Sequence, residues 1–229
     1  MTLLSRQAAL TWAVARKDLV SELRGKSVLV GTLFFAALTL FIFGFALGPD
    51  RERLRLAAPG LLWLALVLSG VLAVGRLHQL ETEDGALEQL GLYPVPRPAI
   101  FAGKALAGML AMLGLSALLA PAAAVLYSVD VGTGLPALLA ALVLGSVGFA
   151  AVGTLYAGLT ARLRAREVLL PLLVLPAVAP LLLAGVTAST LALQGDPFGE
   201  LGAWLELLLA YDLAMLVAGG ALYGVVLED

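Results

Sequence analysis

Residues 28–48 read VLVGTLFFAALTLFIFGFALG, an unbroken apolar run that carries no charge. A helix of this length rises about 30 Å, the thickness of a bilayer's hydrocarbon core. The run exceeds the ~7–15 residues of a signal-peptide core and no small-residue cleavage site follows it, so it reads as a span rather than a leader. Similar charge-poor stretches recur: Leu56 to Gly75, Ala105 to Val129, Val131 to Ala161, Val168 to Gly195, and Leu201 to Leu227, the last interrupted by Glu206 and Asp212. The fourth is too long for one helix, and Gly132, Gly134 and Pro136 mark a loop before it.

The whole chain agrees with this reading. Its 229 residues are 61% hydrophobic and only 13% charged, about half the charge of a soluble domain. The expected fold is therefore all-α and polytopic: an interfacial amphipathic helix over residues 1–26, then a membrane domain over 27–229. Its six spans fall near 28–48, 57–75, 105–128, 136–159, 168–187 and 203–227, with a cytoplasmic connection at 76–104. In residues 1–26, Ala8, Trp12, Ala15, Leu19 and Leu23 form one helical stripe, with Arg16, Lys17, Glu22 and Arg24 off it. Such a helix lies in the headgroup plane, with Trp12 as its anchor.

Eleven of the 14 Lys and Arg residues fall on the N-terminal segment and the second and fourth connections; Arg51, Arg53 and Arg55 alone lie opposite. This asymmetry puts both termini in the cytoplasm. Small residues four apart (Gly44 and Gly48, Ala141 and Gly145, Gly153 and Ala157, Gly220 and Gly224) let helix backbones approach closely in lipid. Pro171, Pro176 and Pro180 break the fifth span's hydrogen bonding, giving either a flexing element or a static kink. Near the last span, Glu206 sits at the external interface, whereas Asp212 lies deeper, beside Tyr211. An acid there must face other helices, pair with a donor such as the Tyr127 or Tyr156 hydroxyl, or be protonated. It reads either as a functional group or as an interhelical hydrogen bond.

The connection RLHQLETEDGALEQLGLYPVPRPAIFAGK, residues 76–104, is the longest polar stretch. Asp84 can cap a short helix that Gly91 stops, with Leu87 and Leu90 on one face among Glu81, Glu83 and Glu88. An acid-flanked leucine ridge suits a partner's groove better than the negatively charged inner leaflet.

No catalytic or metal-binding set is apparent. The chain has no cysteine. The position five residues before each Gly-Lys pair holds Val20 or Pro98 where a P-loop needs glycine. His78, the single histidine, reads as an interfacial polar residue or, less simply, a metal or haem ligand. No nucleic-acid module is present.

Four segments together resemble the CcmB family, the membrane permease of the cytochrome c maturation ABC transporter: Glu-x-x-Asp-Gly-Ala-Leu-Glu-x-Leu over 81–90 with the Gly-Lys at 103–104, RKDL with ELR in 16–24, FALGPD at 45–50, and APGLLW at 58–63. The resemblance covers essentially the whole chain; the prolines at 94, 96 and 98 are more numerous than the family pattern leads one to expect. It implies that Glu81, Glu83, Asp84, Gly85, Ala86, Leu87, Glu88 and Leu90 form the coupling helix, seated on a separate CcmA-type ATPase that carries the ATP. It also implies a homodimer of permeases, association with a CcmC-type haem-handling protein and a CcmE-type haem chaperone, and a cycle that delivers haem or releases the loaded chaperone outside the cytoplasm. No cofactor is implied for this chain itself, nor any enzyme activity of its own. Two alternatives stay open: an ABC-type exporter permease for a drug, lipid or polysaccharide, and a non-transporting membrane scaffold.

Overall fold

The structure, a computed structural model, describes residues 3–24, 26–83, 96–161, 163 and 165–226. The described residues form eight helices: α1 (Leu3–Arg24), α2 (Lys26–Leu47), α3 (Arg51–Glu83), α4 (Arg97–Leu126), α5 (Leu135–Thr160), α6 (Arg166–Ala177), α7 (Ala179–Gln194) and α8 (Leu201–Val226). Five of them, α2, α3, α4, α5 and α8, are long and apolar enough to cross a bilayer; α6 and α7, bent by 55° at Val178, make a sixth crossing if taken together. The protein is an all-helical, multi-pass membrane protein.

Its outer surface is what lipid demands. Phe45 is 82% exposed, and Phe34, Leu118, Val125, Leu172, Leu213 and Val217 also face outward. In water this much contiguous apolar surface would drive association; in a bilayer it is the solvated face.

The core forms around α5, which packs on α3, α4, α6, α7 and α8. Its small residues allow this. The Trp63 indole lies against Gly145 of α5 and Gly185 of α7, where a Cβ on either glycine would overlap the ring. The indole N–H donates to Ser189 Oγ at 2.9 Å, so the buried polar edge is satisfied. Gly153 lies closely against Val74, which would have to give slightly to admit a Cβ there. Gly48 plays a different part from the helix-packing one expected of it. It ends α2 with φ +77°, a conformation that favours glycine. Asp50 then caps α3, its Oδ1 accepting the Glu52 and Arg53 amides at 3.0 and 3.3 Å.

Two helices overrun the bilayer. The 33 residues of α3 extend about 50 Å; nothing after Gly75 breaks the helix, so residues 76–83 continue it. On the far side, Pro96 is extended (φ −58°, ψ 126°) and Pro98 stands in the first turn of α4. Much of the 76–104 connection is thus helical extension of α3 and α4, leaving 84–96 between them.

The N-terminal helix packs on α4 rather than standing alone. Its face toward α4 centres on Ala15 and Asp18, both buried, with Thr11 and Val14 beside them, while Ala8 is exposed and Trp12 is 55% exposed. The polar centre of this contact has a physical cause. The neighbouring helix supplies a cation, so an aspartate, not a leucine, sits at the centre of the contact.

Candidate functional site

Two polar clusters stand out in this apolar bundle, one at the base of α4 and one at the break between α6 and α7.

The first turns of α4 are held from two sides. On one, Lys104 Nζ lies 3.5 Å from Asp18 Oδ2, and the two residues are 2% and 4% exposed. Lys17 Nζ approaches the other carboxylate oxygen at 3.0 Å. One turn away Gly103 meets Val14 and the Thr11 carbonyl so closely that a Cβ would collide with them, and Thr11 Oγ1 donates to Ala99 O at 3.5 Å. Glu22, farther along α1, has its carboxyl pushed above the usual range, first by burial and then by the Asp18 charge. On the other side, Arg97 Nη1 donates to Gly224 O at 2.8 Å, satisfying a carbonyl at the end of α8. Phe101 packs on Gly219 and on the Tyr223 ring, with centroids 5.5 Å apart. The helix that emerges from the 84–95 segment is thereby locked to both the first and the last helix of the chain.

The second cluster surrounds Val178. Pro180 lacks an amide to donate back to Pro176, and its ring excludes that carbonyl. The helix stops at Ala177 and restarts at Ala179. The Tyr211 hydroxyl of α8 donates to the Ala177 carbonyl at 2.6 Å, so the break is stitched to its neighbour. Of the prolines expected to bend this span, Pro176 and Pro180 bracket the break and Pro171 lies within α6.

Asp212, the next residue, is 2% exposed and lies against Gly148 of α5 and Leu181 of α7. Neither carboxyl oxygen makes a complete hydrogen bond; the Gly148 backbone is the polar group it feels. The tyrosine hydroxyls considered as donors are not its partners: Tyr127 instead donates to Leu40 O at 2.7 Å, tying α4 to α2. Glu206, in the second turn of α8, is exposed.

Glu81 and Glu83 fall in the last turn of α3, and His78 lies a turn earlier. Asp84, Gly85, Ala86, Leu87, Glu88 and Leu90 lie outside the described residues. The Asp18–Lys104 pair was missed in the sequence, although both residues belong to segments noted there, RKDL and Gly-Lys; the signal was an acid between two apolar positions of the α1 face.

Two grooves open on the sides of the bundle. One, of about 490 Å³ between α4 and α5, is lined by Leu113, Ser116, Pro121, Leu138 and Leu142 among others. The other, of about 330 Å³, lies beside Gly44, Phe45, Leu54 and Tyr127. Both are overwhelmingly apolar, and neither presents a histidine or carboxylate.

The family model for CcmB protein matches residues 9–223. The chain belongs to the CcmB family. Its relatives include heme exporter protein B of Bradyrhizobium diazoefficiens, 35% identical over 210 residues that cover 90% of this chain and 92% of the relative. The Pseudomonas aeruginosa protein of the same name is 34% identical over 84% of this chain and 86% of its own. That of Paracoccus denitrificans is 37% identical over 74% and 78%. The CcmB match begins within α1 and ends within α8, so it includes Asp18, Lys104 and the Phe101–Tyr223 contact.

Proposed function

We propose that this chain is the permease subunit of an ABC transporter acting in cytochrome c maturation, with haem delivery, or release of a haem-loaded chaperone, as its output. It sits in the bacterial inner membrane with both termini in the cytoplasm. Hydrolysis belongs to a separate CcmA-type ATPase seated on residues 81–90, and two permeases pair over two ATPases, with CcmC-type and CcmE-type proteins handling the haem. The observation that carries this reading is family membership across nearly the whole chain, alongside relatives named for haem export. Haem is cargo here and not a resident group.

The clamp explains how such a docking segment would do work. A push on a flexible connection dissipates in local motion. Here the connection enters α4, and α4 is fixed to α1 by a buried ion pair and to α8 by Arg97 and Phe101. Displacement at 84–95 therefore moves three helices as one body, and α8 carries Tyr211 to the α6–α7 break.

Substituting Leu87→Asp and Leu90→Asp together tests the docking role. The ATPase is expected to be lost from the purified complex while the permease stays in the membrane. An intact complex would refute the assignment of 81–90 as its seat.

A further inference from the structure

Asp212 is the twelfth residue of the 26-residue α8, about 18 Å from its start and so near the middle of the apolar span. A lone carboxylate at this depth carries a large desolvation penalty unless it is paired. Among the described residues, no cation is paired with it and neither oxygen has a hydrogen-bond partner. The groups on every helix that packs against α8 are accounted for. On α4, Arg97 serves Gly224 O and Lys104 serves Asp18. On α5, Tyr156 is the titratable group, and it faces Tyr211. The sequence of α7 has no titratable residue, and those of α6, Arg166 and Glu167, stand in its first turn, about three turns from the Ala177 carbonyl that meets Tyr211. On α8 itself, Tyr211 donates to Ala177 O, Tyr223 packs on Phe101, and Glu206 is exposed.

We propose that Asp212 is a proton-binding site of the permease, held as the neutral acid in this conformation and able to ionise when the α6–α7 break opens. Three features place it there. The carboxyl is wedged where Gly148 leaves room that any side chain would fill. It lies against Leu181, three residues past the break at Val178. Its neighbour Tyr211 holds the carbonyl at that break by one hydrogen bond. Movement of the break severs the Tyr211 contact and brings water to the Asp212 carboxyl, which then releases its proton to that water. The conformational cycle and the binding of one proton are thereby linked. The site stands whatever the cargo is.

The test uses the full-length chain in lipid nanodiscs at neutral pH, with dicyclohexylcarbodiimide as the probe. This apolar reagent adds a protonated carboxyl across a C=N bond: the carboxyl oxygen bonds to carbon, its proton moves to nitrogen, and nothing leaves. The expected result is a mass adduct on the peptide containing Asp212, lost in Asp212→Asn. An infrared carbonyl band of a protonated carboxyl accompanies it and is lost in the same variant. Should Asp212→Asn fail to fold, the peptide map of the wild-type adduct decides alone. A carboxylate band with no adduct at Asp212 overturns the proposal. So does protection from the reagent by sodium or potassium, which would make the carboxyl a metal-cation ligand instead.

Discussion

Asp18 and Lys104, 86 positions apart, meet at 3.5 Å inside the interface between the first helix and the base of α4, each nearly sealed from solvent. A buried pair is weak evidence of net stabilisation, because both charges lose hydration. Removing one partner is a different matter, since it takes a buried countercharge from the other. Asp18→Ala is expected to cost about 3–5 kcal/mol; Lys104→Ala costs less, because Lys17 still reaches Asp18 at 3.0 Å, and Asp18→Leu combined with Lys104→Met recovers most of the larger loss. Thermal unfolding of the three variants in detergent checks this; equal losses in single and double variants would contradict the pairing.

Trp63 is the keystone of the α3–α5–α7 contact. Replacing it with alanine leaves a large void between Gly145 and Gly185 and is expected to cost about 3–5 kcal/mol. Trp63→Phe keeps most of the volume and strands the Ser189 hydroxyl, costing about 1–3 kcal/mol. Denaturation in mixed micelles orders the variants as wild type, Phe, Ala.

How much of this was legible in the chain varied by kind of contact. Apolar length announced the crossings, because a bilayer imposes one thickness on every helix. Helix ends were harder. The polar residues 76–83 signalled departure from the bilayer, but departing from lipid does not end a helix, and α3 runs on to Glu83. Pro176 and Pro180 marked the fifth span as breakable, and the bend falls between them. The α1 stripe was visible as an apolar face, but the contact with α4 beside it was not, because hydrophobic periodicity does not register an aspartate buried against Lys104. Asp212 stood out from its sequence alone, for an acid amid leucines is visible without coordinates. Its lack of a partner was not, since that depends on where Tyr127 and Tyr211 send their hydroxyls.

Glu22 makes the N-terminal helix pH-sensitive. Its folded-state carboxyl titrates above the ordinary glutamate range, through burial and then the Asp18 charge, so the folded form holds the proton more tightly than the unfolded one. Any stabilisation from this group is present below the unfolded value and is lost as pH rises through the folded one. Glu22→Gln is expected to stabilise the α1–α4 contact at pH 7–8 and to change little in acid. Amide exchange in α1 across pH reads the difference; equal protection in both proteins at pH 8 would contradict it.

Asp196 has the opposite sign. It accepts the Leu201 and Glu200 amides at 3.0 and 2.8 Å, with Leu201 the leading cause of its lowered titration. Its capping of α8 persists above the ordinary carboxylate range and is lost as pH falls through the lowered value. Asp196→Ala is expected to fray the first turn of α8 at neutral pH, seen as faster amide exchange at Glu200 and Leu201. Asn, which keeps one acceptor oxygen, restores part of the protection.

The account turns on residues 84–90 lying in the cytoplasm against an ATPase. Because the chain contains no cysteine, Ala86→Cys gives a single labelling site without further engineering. With a membrane-impermeant maleimide, the account predicts no labelling in intact cells, labelling in inverted vesicles stripped of peripheral proteins, and protection when the purified ATPase is added back. Labelling from outside intact cells, or no protection by the ATPase, would contradict it.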